Sequence, residues 1–131
     1  MELPRIVEHS PLARIARWKL GQPNVAMVLG KSIHLSGVTR GEFLRDPSWV
    51  AHEMCHIRQV RQYGLVNFLW QYLLESVRVG YYANRFEVEA RQDAQRDAAY
   101  YAQVLGVPAP ATPGRGTDPD GPGGIQPDVV V

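Results

Sequence analysis

One cysteine, Cys55, is all this chain of 131 residues contains. It excludes an internal disulfide and agrees with a reducing compartment. An excess of either charge is also missing. Lys and Arg total 14 against 13 Asp and Glu, and the arginines are scattered, so no basic field points to nucleic acid. The amino-terminal stretch MELPRIVEHSPLARIARWKL lacks the long apolar run of a secretory signal and carries Glu2, Pro4 and Glu8 early. Internal repeats are absent as well. A single cytoplasmic domain is the expectation, long enough to bury a core unaided.

The longest apolar stretch, GLVNFLWQYLLESVRVGYY, is interrupted by Asn67, Gln71, Glu75, Ser76 and Arg78. Read as one polar stripe on a helix, these residues leave a wide apolar remainder. That predicts a core helix buried over most of its surface and excludes a membrane span.

Punctuation residues place the other elements. A short helix is expected after Pro11. Val25 to Leu29 and Ser32 to Leu35 flank Gly30-Lys31 as a β-hairpin. Asp46 as N-cap, Pro47 in the first helical position and Gly64 at the far end bound the clearest helix. The apolar helix runs from about Val66 to Val79, and a third long helix from Asn84 to Leu105, stopped by Gly106 with Pro108 beyond. The reading is an α+β domain over residues 1–106, with a small hairpin sheet on about three main helices. Residues 107–131, dominated by Pro, Gly and Asp, are expected to be a disordered, inert tail. A tether, a self-inhibitory strand and a docking terminus are the alternatives for it.

The chemistry concentrates in His52-Glu53-Met54-Cys55-His56. On a helix the two imidazoles lie about 40° apart around the axis and one turn apart along it, so both can reach one cation. Glu53 points about 100° from His52, outside easy coordination but able to lean over a metal-bound water. It also falls within the core-facing arc of Trp49, Val50, Met54, Ile57 and Val60, where a carboxylate needs a partner. That partner is the water or, in the plainer reading, an Arg.

A third ligand must come from another element. On the last helix Glu87 shares an arc with Ala94, Ala98, Tyr101 and Leu105, whereas Glu89 lies on the wet side. Glu87 is therefore the expected ligand, with His34 and Glu89 in reserve. The competing account is a capping box, in which Glu87 folds back onto the amide of Asn84. Gln59 and Tyr63 share the histidine face as contacts or boundary residues. Cys55 is expected to pack as a small hydrophobe, a fourth thiolate ligand being the lesser alternative.

His52-Glu53-x-x-His56 followed 31 residues later by Glu87-Val88-Glu89-Ala90 resembles the gluzincin zinc metallopeptidases, above all the minigluzincins and related small bacterial domains. The likeness spans about residues 24 to 105 and includes the Tyr-rich turn GYYANRFEVEAR. It implies a zincin-like fold, Zn2+ bound by His52, His56 and Glu87, and Glu53 as catalytic base in the hydrolysis of a peptide or protein. Arg85 stands where a Pro is common, and Arg91 where some branches carry an acid. Substrate is expected to pair with the hairpin edge at Ser32 to Leu35, and Tyr63, Tyr81, Tyr82 and His34 are candidate oxyanion donors. A non-catalytic, zinc-stabilised binding module is the second expectation, and a metal-free helical interaction domain the third.

Overall fold

The computed structural model describes residues 3–21, 23–109 and 128–130. Helices pack on both faces of a small sheet, an α+β architecture as expected. The hairpin folds as anticipated: β2 (Val25–Leu29) and β3 (Ser32–Ser36) pair antiparallel, with Leu29 opposite Ser32 across Gly30-Lys31. Gly30 has φ +64°, a left-handed conformation that glycine adopts without penalty. β1 (Arg5–Val7) and β4 (Asp128–Val130) add parallel strands on either side, giving the order β1-β3-β2-β4. β3 is thus an inner strand. The expected docking of substrate along Ser32 to Leu35 has no free edge to use, because β1 occupies it.

Residues 110–127 and 131, most of the expected tail, lie outside the described residues.

The helices are α1 (Pro11–Leu20), α2 (Arg40–Leu44), α3 (Pro47–Tyr63), α4 (Leu65–Ala83) and α5 (Arg85–Leu105). Val25, Ala26, Met27 and Val28 are buried in succession, so both faces of β2 are covered. Ala26, Val28, Ile33 and Leu35 share one face and join the core with Trp49, Val50, Ile57 and Val60 of α3. Met27 and His34 point to the other face, where α1 packs. His34 Nδ1 meets Ser10 Oγ, the N-cap of α1, at 2.8 Å.

α4 departs from expectation. Its buried residues are Phe68 and Glu75 alone, while Val66, Trp70, Leu73, Leu74 and Val77 are exposed. Both sides of this helix are apolar, and periodicity could not tell which one the core would take. The polar stripe turned out to flank the inner arc and not to be the solvent face.

Candidate metal centre

α3 begins where its caps require. Asp46 accepts the amide of Trp49 at 3.1 Å and Pro47 stands in the first turn, which sets the phase of everything downstream. With Trp49, Val50, Ile57 and Val60 committed to the core, His52 and His56 come to face α5, the helix with which α3 makes its most extensive packing.

Asn84 positions the opposing carboxylate. Its Oδ1 accepts the Phe86 amide at 2.9 Å, capping α5, and its Nδ2 donates to Tyr72 O at 3.1 Å and Ser76 Oγ at 2.8 Å. The buried amide therefore pins the start of α5 to the middle of α4. Glu87 sits in the first turn so anchored, where the helix dipole favours a carboxylate. It does not fold back to complete a capping box, since both its oxygens are engaged elsewhere.

Glu87 Oε1 lies 3.0 Å from His52 Nε2 and 3.0 Å from His56 Nε2. Its Oε2 accepts from Tyr72 Oη at 2.5 Å. The three donor atoms of His52, His56 and Glu87 all lie within 4.8 Å of one another. A tetrahedral ion with bonds of about 2.0–2.1 Å separates its ligand atoms by roughly 3.4 Å, so this spread fits a small cation. His52 is 6% exposed, and His56, Glu87 and Glu53 are 0% exposed. The group is able to hold a metal ion.

The tautomer of His56 follows from its neighbour. Gln59 Nε2 donates to Phe86 O at 3.0 Å and to Glu89 Oε1 at 3.1 Å, so Gln59 Oε1 is the atom that meets His56 Nδ1 at 2.8 Å. His56 must then carry its proton on Nδ1 and turn the Nε2 lone pair towards Glu87. An imidazole lone pair and a carboxylate oxygen at 3.0 Å, both buried, call for a positive charge between them. A metal ion or a second imidazole proton supplies it.

Other expected residues fall into place around this group. Gln59 contacts the site through His56, whereas Tyr63 is a boundary residue whose ring packs edge-on to Phe86 at 5.6 Å. His34, on the far face of the sheet, is not among the clustered residues, and burial there lowers its pKa below the ordinary histidine value, with Arg5 adding to the shift. Glu89 is not a ligand but the acceptor behind Gln59. Tyr81 and Tyr82 are exposed; Arg91 donates to Tyr82 O and lies over its ring at 4.1 Å. In place of an acid, Arg91 thus fastens the end of α4 to α5.

Cys55 is buried with its Sγ towards Glu89 and Gln59, outside the cluster. Burial pushes the thiol well above its ordinary pKa, and the carboxylates of Asp93 and Glu89 push it further. It packs as a neutral thiol, not as a thiolate ligand.

Tyr72 was missed from the sequence. Phe68, Tyr72 and Glu75 recur at i, i+4 and i+7, a spacing that marks one arc, but Glu75 made that arc look like the wet side. In the structure Glu75 is buried against Arg78, at 2.7 Å, and the Arg85 amide, at 3.3 Å.

No protein-family model matches the chain, and neither a curated protein nor a solved structure matches it.

Proposed function

We propose that the domain is a zinc-dependent peptidase acting on cytoplasmic peptides or proteins, with His52, His56 and Glu87 as ligands and Glu53 as general base. The observation that carries this reading is the convergence of Glu87 on both imidazole Nε2 atoms, each at 3.0 Å, from a separate helix. Zinc held there would polarise a substrate carbonyl and acidify a water. Glu53 adjoins His52 on α3; its role is to take a proton from the attacking water and return it to the leaving amine. Gln59 keeps His56 in the tautomer that offers Nε2, and Tyr72 keeps Glu87 turned towards the histidines.

A second reading is a zinc-stabilised binding module without hydrolysis. What favours it is burial: with Glu53, His56 and Glu87 at 0% exposure, the edge of His52 is the part of the group that solvent reaches.

One experiment separates them. Protein purified without a metal-affinity tag is analysed for zinc as wild type, Glu87→Ala and Glu53→Gln, and each is incubated with a peptide library read by mass spectrometry. The peptidase predicts about one zinc per wild-type chain, loss of it in Glu87→Ala, and hydrolysis that disappears in Glu53→Gln while zinc stays. Zinc without hydrolysis by wild type supports the binding module. A folded wild type that takes up no zinc ends both.

A further inference from the structure

The outer face of α4 is apolar and no element among the described residues covers it. With Trp70 at zero on a helical wheel, Val66, Leu73, Leu74 and Val77 all project within about 60° of it. Val66 is 81% exposed, Trp70 61% and Val77 79%. The arc ends at Gly80, whose φ of 83° and ψ of 170° break the helix, and exposed Tyr81 and Tyr82 follow. Contiguous apolar surface of this kind marks an interaction site. α1 exposes Leu12, Ile15 and Trp18 too, but over a helix about half as long.

Charge and size decide what covers the α4 face. From Arg61 to Arg85 the charged residues are Arg61, Glu75, Arg78 and Arg85. The one acid is buried and pairs with Arg78, at 2.7 Å, and with Arg85 Nε, at 4.0 Å, so three cations against one anion leave the stretch with a net positive charge. A second copy would bring the same arginines and no exposed acid to meet them. It would also find five side chains on three turns, where a stable interface takes roughly 20–30 residues a side. A lipid surface needs neither. A helix lying in the bilayer interface buries one apolar face to a depth of about 5–10 Å, with Trp and Tyr at headgroup level and basic residues drawn to anionic lipid. No helix among the described residues is long and apolar enough to cross a membrane, so this is attachment and not insertion.

We propose that α4 docks the domain on an anionic phospholipid surface, seating Val66, Trp70, Leu73, Leu74 and Val77 in the interface with Arg78 at the margin of that arc. This docking is independent of metal binding.

The test is co-sedimentation of the full chain with phosphatidylcholine vesicles, with and without phosphatidylglycerol, beside analytical ultracentrifugation of the lipid-free protein. The expected result is a monomer that binds the anionic vesicles and is released as salt rises. The double variant Trp70→Gln, Val77→Gln should bind about tenfold or more weakly, with an unchanged circular dichroism melt because both positions are exposed. Failure of the wild type to bind anionic vesicles overturns the proposal, as does a double variant that binds as well. A concentration-dependent dimer that the double variant abolishes, without vesicle binding, overturns it and assigns the face to self-association.

Discussion

Gln59 makes no bond to Glu87, yet it decides which nitrogen of His56 faces the cluster. Its amide is held by Phe86 O and Glu89, so its oxygen has no choice but to accept from Nδ1. Gln59→Leu keeps the volume and removes that constraint. Zinc affinity should fall about 10- to 100-fold, the usual range for loss of a partner behind a ligand. Competition against a chromophoric chelator at fixed pH measures it, and an unchanged affinity would mean that Gln59 only packs. At this scale the sequence was legible where side chains repeat on one helix. His52, His56 and Gln59 share an arc of α3 by spacing alone. Tyr72 was not legible, because its bond to Glu87 crosses from α4 to α5 and depends on which face of α4 turns inward.

Among the elements, two of the three long helices were readable from their ends, while α4 runs four residues past its expected end at Val79. Asp46, Pro47 and Gly64 bound α3, and Asn84 and Gly106 bound α5, because caps act locally and need no tertiary information. β1, α2 and β4 were not foreseen, β4 lying in the segment expected to be disordered. β1 is three residues long and exists by pairing with β3, while α2 is a five-residue turn with Gly41 inside it. Neither has a period to detect. Asn84 matters beyond its own helix, since it caps α5 and also ties α5 to Tyr72 O and Ser76 Oγ. Asn84→Ala should therefore cost more than an ordinary cap: about 2–3 kcal/mol, against about 1 kcal/mol for Asp46→Ala at the start of α3. Urea unfolding of the two variants measures the difference. Equal costs would reduce Asn84 to a cap and remove its part in placing Glu87.

For the molecule as a whole, the candidate centre is where α3, α4 and α5 meet, through His52 and His56, Tyr72, and Glu87. An ion bound to the native state alone stabilises by about 4 kcal/mol at a thousandfold excess over its Kd. Chelation should then lower the thermal midpoint of the entire domain in a single transition, and leave Glu87→Ala unmoved. Calorimetry with and without EDTA checks it; a midpoint indifferent to chelator in the wild type would sever the centre from stability.

Every side chain that builds the centre lies between His52 and Glu87, on consecutive helices. The sheet is different, for its ladders join Arg5 to Ser32 and Ala26 to Asp128. Local contacts close quickly and distant ones slowly, since loop closure must come first. On a chain still being synthesised, the histidines and Glu87 can meet as soon as α5 has emerged, while the outer edge of β2 waits for residue 128. Assembly of the centre is thus separable in time from completion of the sheet.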